Sequence, residues 1–223
     1  MKVAVLFSGD ASSVYCSHLL REAGLEVGSL VTVRGSQIAS ALDPGLTRTS
    51  ARSLGVPLIE LCADGDDEVS PLLEALGRPE VDGLSAGATA SNRRRNRLVE
   101  ACEKLEIQLI LPLWHRDPAE ILENMIEEGF EVLIGRLKGG RLGEDWLGQV
   151  LDRKNLDDFL RACRRGRISP LDESGELESF VLAGPDMRGR IELDFEKRWS
   201  GDRGWLEIAG SRLVRPTACW NDP

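Results

Sequence analysis

The chain has 223 residues, of which 42% are hydrophobic and 29% are charged, and its formal net charge at pH 7 is −9. These proportions exclude intrinsic disorder and allow one sizeable core, or a main domain with a smaller one beside it. The acidic balance argues against non-specific binding to nucleic acid or to an anionic membrane. No apolar run has the length of a membrane span or of a signal-peptide core, so we expect neither a membrane partner nor a direct nucleic-acid partner.

The first part of the chain alternates short apolar runs with helical patterns, and the runs predict buried strands. In chain order, the predicted strands are 3–7, 27–33, 56–61, 81–85, 107–111 and 130–135. The predicted helices between them are about 12–23, 47–54, 66–76, 89–105 and 117–128. Ser12 or Ser13 is the predicted cap of the first helix. This βαβα order predicts an α/β fold with a mostly parallel, Rossmann-like sheet flanked by helices.

The pattern changes after about residue 136. Gly139 and Gly140 predict a loop, and a helix is predicted over 155–164. Three strand-like segments follow, over 177–183, 188–196 and 204–209. We therefore predict two domains, an α/β domain over 1–139 and a smaller α+β region over 140–223.

The cysteines and histidines are few and scattered. None of the five cysteines stands in a Cys-x-x-Cys pair, so the sequence indicates neither a disulfide framework nor a zinc or iron–sulfur site. We expect reduced thiols in a cytoplasmic protein. His18 and His115 are the only histidines, too few for a metal cluster, and His18 is expected to be structural because it lies in the middle of a predicted helix.

A polar segment that contains one glycine separates the first strand from the first helix. It consists of Ser8, Gly9, Asp10, Ala11, Ser12 and Ser13. Parallel sheets bind ligands beyond the carboxyl ends of their strands, and the N–H groups of a helix N-terminus hold anionic oxygens. The segment therefore predicts a phosphate site, although it has neither the Walker spacing nor that of a dinucleotide fold. A plain capped turn is the alternative.

A second segment combines small residues with a run of arginines. Small residues from Gly83 to Ser91 follow a strand, and they allow a ligand to approach the backbone closely, with Ala86 and Gly87 as the candidates for contact. In the following arginine run, Arg93 and Arg97 lie four residues apart and share a helical face. The alternative is a solvated basic surface.

Two acidic and two aromatic residues complete the candidates. Glu176 and Glu178 fall on the same side of a predicted strand, where two carboxylates can hold Mg²⁺ or an ammonium-like group. The alternative is the polar outer face of an edge strand. Trp114 and Trp146 are the aromatic candidates, with a place in the core or at its rim as the alternative.

Taken in order over about residues 2–195, these segments resemble the diphthine–ammonia ligases, which belong to the PP-loop (N-type) ATP pyrophosphatases with their HUP-type sheet. The segment 8–13 stands where that family has Ser-Gly-Gly-Lys-Asp-Ser. The segment 83–97 resembles its Gly-Ala segment and arginine helix, with Arg95 and Arg97 at the matching arginine positions.

Three further segments support the resemblance. Residues 112–114 and 146–148 match the family's Pro-x-Trp and Trp-Leu-Gly. The most specific match is 173–182, which resembles Glu-Gly-Gly-Glu-Phe-Glu-Thr-Phe-Val-Leu.

The resemblance implies ATP-dependent, AMP-forming amidation of diphthine, a modified histidine of the translational elongation factor (the translocase), with ammonium as the nitrogen donor. It implies ATP and Mg²⁺ as cofactors and leaves room for a homodimer. The site residues that it implies are Ser8 to Ser13, Ala86 and Gly87 for the nucleotide, Arg95, Arg97, Trp114 and Trp146 for substrate or phosphate, and Glu176 and Glu178 for catalysis.

The first loop departs from the family's pattern at three positions. Asp10 replaces the second glycine, Ala11 the lysine and Ser12 the aspartate, so a cation directed at the phosphates is missing. Asp10 becomes the candidate Mg²⁺ ligand in place of the missing aspartate. In addition, Gln149 stands where a family member can carry arginine, and the segment 38–46 lacks the expected histidine.

These departures give the alternative function, a catalytically degenerate nucleotide-binding or scaffold relative of the ligase. A tRNA-modifying PP-loop enzyme is a third hypothesis, which the acidic charge and the absence of paired cysteines count against.

Overall fold

Five parallel strands form the first sheet of the computed structural model, which describes residues 1–35, 43–63, 69–77, 81–171 and 175–214. The strands are β1 (Lys2–Leu6), β2 (Glu26–Arg34), β3 (Leu58–Cys62), β4 (Gly83–Ala86) and β5 (Gln108–Ile110). The helices that follow them are α1 (Ala11–Glu22), α2 (Pro44–Leu54), α3 (Val69–Leu76), α4 (Asn92–Leu105) and α5 (Pro118–Glu127). The predicted α/β fold with a mostly parallel sheet is confirmed.

The order of this sheet is β3-β2-β1-β4-β5. From β1 the chain continues through α1 to β2 on one side, whereas β4 pairs with β1 on the other side. The strand order therefore reverses between β1 and β4, and the loops after these two strands flank the switch point. In open parallel sheets this is the position where ligands bind.

The second sheet is antiparallel and is built by the later part of the chain. Its strands are β6 (Glu131–Lys138), β7 (Val150–Leu151), β8 (Leu177–Ala183), β9 (Arg190–Ser200) and β10 (Arg203–Val214). The helices of this part are α6 (Gly139–Leu142), a 3₁₀ turn (Glu144–Trp146) and α7 (Leu156–Gly166). The predicted C-terminal strands are thus present, and β9 and β10 extend beyond their predicted ends.

Two features of the second sheet differ from expectation. The strand predicted over 130–135 exists as β6, but it pairs with β7, β8 and β10 of the second sheet, which therefore begins before residue 140. The loop predicted at Gly139 and Gly140 is wrong, because both residues belong to the short helix α6. The division of the chain into domains at residue 139 stays a prediction.

Two hydrophobic clusters form the core. One lies between the first sheet and helices α3 and α4, with Leu72, Leu84 and Leu98 at its centre. The larger one includes Phe7 and Tyr15 from the first part of the chain together with Phe159 from the second. The two sheets therefore share a core, with α1 in contact with β8 and α2 in contact with β9 and β10. No helix in the described ranges is both long and apolar enough to cross a bilayer.

Candidate functional site

The loop between β1 and α1 is held by its own side chains. Asp10 is the N-cap of α1, and its Oδ1 atom accepts hydrogen bonds from Ser13 N at 2.7 Å and from Ser12 Oγ at 3.1 Å. The sequence prediction of Ser12 or Ser13 as the cap was wrong, because the chain already enters helical geometry at Ala11. The helix N-terminus, where anionic oxygens bind, thus already holds a carboxylate of the same chain.

Ser13 stabilises the turn before the helix. Its Oγ accepts a hydrogen bond from Gly9 N at 3.1 Å and lies 3.2 Å from the Ser8 hydroxyl, which donates to it. Gly9 has φ +84, a left-handed conformation that suits glycine. From α2, the hydroxyl of Thr47 donates to Ser8 O at 2.9 Å. The loop is therefore fixed from two sides.

The loop after β4 lies directly against the first turn of α1. A Cβ atom built on Gly87 would lie 2.6 Å from both the carbonyl carbon and the oxygen of Ser12, so only glycine fits here. Ala86, before it, is fully buried at the end of β4. One turn further along α1, Cys16 Sγ lies 3.1 Å from Ser85 Oγ. The structure thus brings together the two segments in which the sequence predicted nucleotide contacts.

The arginines of α4 occupy different environments. Ser91 caps this helix by accepting a hydrogen bond from Arg94 N. Arg93 is exposed, and Arg95 is exposed with its guanidinium carbon 5.7 Å from the centre of the Trp114 ring, a cation–π contact. Arg94 is half-buried, and its Nε atom is buried without a hydrogen-bond partner. Sequence reasoning missed Arg94, because helical spacing drew attention to Arg93 and Arg97.

The loop after β5 joins the same edge of the first sheet. His115 N donates to Thr89 O at 2.9 Å, which ties this loop to the one after β4. The ring of Trp114 packs edge-on against that of His115, with 4.8 Å between centroids. Trp114 and Arg95 therefore lie together at this edge of the sheet, and a contact of either residue with phosphate or substrate stays a prediction.

Trp146 has a packing role in the structure. It is half-buried, and its ring lies edge-on to that of Phe159, with 5.1 Å between centroids, at the margin of the shared core. Leu147, the next residue, is fully buried. A contact between Trp146 and the substrate stays a prediction.

Glu178 lies on β8 of the second sheet and Glu176 directly before it, and both are paired with cations. Glu178 forms an ion pair of 3.0 Å with Arg136, which lies opposite it on β6. Glu176 forms one of 3.1 Å with Arg141 and a longer one of 3.9 Å with Lys138. The side chain of Glu178 is 18% exposed and that of Glu176 is 26% exposed, so the pair is not a fully solvated edge.

A cavity of ≈ 730 Å³ adjoins this acidic pair. Trp205 lies opposite Arg136 across the β6–β10 pairing, and Arg203 lies opposite Lys138. The cavity is lined by Glu176, Arg136, Lys138, Ser200, Arg203 and Trp205. It therefore offers cationic, acidic and aromatic groups together, which suits a zwitterionic ligand.

His18 links three elements. Its Nδ1 atom lies 2.9 Å from a carboxylate oxygen of Asp186, and its Nε2 lies 3.2 Å from one of Glu128. Tyr15 donates to the other oxygen of Glu128 at 3.0 Å. Burial, reinforced by this hydrogen bond, raises the pKa of Tyr15 to about 12. The cluster joins α1 to the end of α5 and to the turn after β8, which is a structural role.

The pKa of the Cys16 thiol depends on its burial and on nearby charges. Burial raises the pKa of its thiol to about 12; Asp10 contributes to the increase, whereas the Ser85 hydrogen bond and the Arg94 charge lower the pKa. Asp10 and Arg94 therefore both lie within electrostatic range of Cys16. Within the described ranges, no group of three or more His, Cys, Asp or Glu residues is arranged to hold a metal ion, and Asp10 as an Mg²⁺ ligand stays a prediction.

The protein is of the α/β class. Its Rossmann-like sheet has a polar loop at the switch point and shares a core with an antiparallel sheet. The N-terminal domain of diphthamide synthase matches residues 1–109, and the C-terminal domain of diphthamide synthase matches residues 117–214. The chain therefore belongs to the diphthamide synthase family.

The similarity of this chain to individual proteins agrees with this family. The diphthine–ammonia ligases of Bos taurus and Homo sapiens are each 28% identical to this chain, over 87% of it and 83% of their own length. A crystal structure of a predicted subunit of tRNA methyltransferase from Methanocaldococcus jannaschii superimposes with a TM-score of 0.47 and 18% identity, over 82% of this chain and 98% of that one.

Proposed function

We propose that this protein is an ATP-dependent ligase that converts diphthine to diphthamide on the translational elongation factor, releasing AMP and pyrophosphate. The observation that carries the proposal is the meeting of Gly87 with Ser12 at the switch point, in a chain that both domains of the family match. The elongation factor is a protein substrate, ammonium is the nitrogen donor, and the reaction takes place in the cytoplasm.

The residues at the switch point fit a nucleotide. Gly87 leaves no side chain between the two loops, which allows the backbone to approach a phosphate. Arg94 has a buried Nε atom without a partner, and a phosphate oxygen can accept a hydrogen bond from its guanidinium group. Asp10 must share the N-terminus of α1 with the phosphates, directly or through Mg²⁺.

The chemistry requires activation because a carboxylate is a poor acceptor of an amine. A carboxylate oxygen of diphthine attacks the α-phosphorus of ATP, and pyrophosphate leaves. Ammonia then attacks the acyl carbon, AMP leaves with the bonding electron pair, and the nitrogen loses a proton to give the amide. The protein contributes by orienting the reactants and stabilising the developing negative charge.

We assign Glu176 and Glu178 to the substrate side of this reaction. Their carboxylates attract ammonium or a quaternary ammonium group. The ring of Trp205, which lines the same cavity as Glu176, suits such a cation. Arg136, whose guanidinium group lies 3.0 Å from the carboxylate of Glu178, holds that carboxylate in place. We assign Arg95 and Arg97 to the binding of the ATP phosphates.

The test is AMP release in the presence of ATP, ammonium and the diphthine-bearing elongation factor. We expect Glu176→Ala and Glu178→Ala to abolish AMP release while changing the free energy of unfolding by about 1 kcal/mol or less, as for partly exposed ion pairs. Glu207→Ala is the matched control, because Glu207 is also paired with an arginine of the second sheet. Unchanged AMP release in the two variants, together with a large loss of stability, would show that the acidic pair is structural.

A further inference from the structure

We infer that Arg94 supplies to the nucleotide phosphates the positive charge that the first loop lacks at Ala11. The inference rests on the proposed function to the extent that a nucleotide binds at the switch point. It concerns a residue outside the positions at which this chain resembles the family's arginines, which are Arg95 and Arg97.

Arg94 lies at the edge of the sheet where the candidate site is. It belongs to the first turn of α4, and its backbone N–H donates to the hydroxyl of Ser91, the cap of this helix. The loop before this helix is in contact with the first turn of α1 through Gly87 and Ser12. The N-termini of two helices therefore meet at the carboxyl edge of neighbouring strands, and Arg94 belongs to α4, whose cap is the neutral Ser91, whereas α1 is capped by the carboxylate of Asp10.

The side chain of Arg94 has a hydrogen-bond donor that is left unsatisfied. The Nε atom of Arg94 is buried and has no partner in the structure. An unpaired buried donor of a charged group is costly, and such groups in native proteins call for a ligand, an ion or a water. A guanidinium group is well suited to phosphate because its N–H groups form a planar fork that matches two oxygens.

The electrostatics around Cys16 also favour Arg94. Arg94 and Asp10 act on the pKa of the Cys16 thiol with opposite signs, so the guanidinium and the carboxylate both lie within electrostatic range of that thiol. No ion pair joins Asp10 to Arg94 in the described residues. The cation is therefore near the loop without being neutralised by the carboxylate that caps it.

The neighbouring arginines do not meet the same conditions. The side chain of Arg93 is exposed to solvent. Arg95 is exposed and lies over the ring of Trp114. Among the three consecutive arginines, Arg94 is the one whose side chain extends into the protein.

The experiment compares the binding of ATP and of AMP by calorimetry in the presence of Mg²⁺. We expect Arg94→Ala to weaken ATP binding by about tenfold to a hundredfold, as for a lost charge-assisted hydrogen bond, and to leave AMP binding within about twofold. Arg94→Lys should recover part of the ATP affinity, since it restores the charge without the fork. Arg93→Ala, in the same helical turn, is the matched control and should bind both nucleotides like the natural protein.

The outcomes separate the inference from the proposed function. The inference is overturned if Arg94→Ala binds ATP as tightly as the natural protein does. It is also overturned if the variant loses the same factor of affinity for ATP and for AMP, or if the natural protein binds no ATP. If Arg94→Ala does not fold, the comparison of Arg94→Lys with the natural protein decides, because a structural role does not distinguish ATP from AMP. Selective loss of ATP binding in a protein that releases no AMP supports the inference and contradicts the ligase.

Discussion

Asp10 is the residue that caps helix α1 at the end of the loop after β1. Its carboxylate takes the Ser13 N–H at 2.7 Å and the Ser12 hydroxyl at 3.1 Å. A cap of this kind stabilises a helix by about 0.5–2 kcal/mol. The same contact places a negative charge where a phosphate would bind, so stability of the loop and affinity for the nucleotide oppose each other at this residue.

Substitutions of Asp10 separate these two effects. Asp10→Ala removes the cap and should lower the free energy of unfolding by about 0.5–2 kcal/mol, whereas Asp10→Asn keeps a capping oxygen and should change it little. Since Asp10→Asn also removes the charge, we expect it to strengthen ATP binding. Urea unfolding and calorimetry with and without Mg²⁺ are the measurements. If Asp10→Asn binds ATP more weakly than the natural protein, and does so only when Mg²⁺ is present, Asp10 is instead a metal ligand.

Arg94 shows what a sequence can reveal about a site and what it cannot. The segments 8–13 and 83–97 were found as candidates because glycine, serine and arginine residues follow predicted strands. Their contact through Gly87 and Ser12 depends on the order of strands in the sheet, which the alternation of strands and helices does not specify. The burial of one arginine out of three depends on the rotation of α4, which arginine spacing alone leaves undetermined.

At the scale of elements, the contact between the β4–α4 loop and α1 holds the candidate site together. A side chain at Gly87 would overlap the backbone of Ser12, so Gly87→Ala must move one of the two loops. We expect this variant to lose both stability and ATP affinity. Gly140→Ala is the control, because a Cβ there meets no atom within 4 Å. Nucleotide binding by Gly87→Ala at the natural affinity would show that the contact is not part of the site.

Several elements were predicted closely. The strand over 177–183 has the predicted bounds, and β1 and α1 differ from prediction by one residue at each end. The strand over 130–135 was predicted as part of the first sheet, but it belongs to the second. The sequence of a short buried strand does not indicate which strands it pairs with. Helix α6 was missed because two successive glycines at Gly139 have low helical propensity, which tertiary contacts override.

At the scale of the whole molecule, we expect the core shared by the two sheets to make the chain unfold as one cooperative unit. Phe159 of α7 belongs to the same cluster as Phe7 and Tyr15 of the first part of the chain. We expect Phe159→Ala to lower the free energy of unfolding by about 3–5 kcal/mol and to shift the whole transition. Urea unfolding followed by tryptophan fluorescence and by circular dichroism should give coincident curves. Two separate transitions would show that the two sheets fold independently.

The central claim is that this protein forms the amide of diphthine, and one measurement tests it most directly. The natural protein is incubated with ATP, Mg²⁺, isotopically labelled ammonium and the diphthine-bearing elongation factor. Our account predicts labelled nitrogen in the carboxamide of the modified histidine and one AMP for each amide formed. ATP binding without AMP release and without labelled amide would contradict the account and would identify the protein as a non-catalytic relative of the ligase.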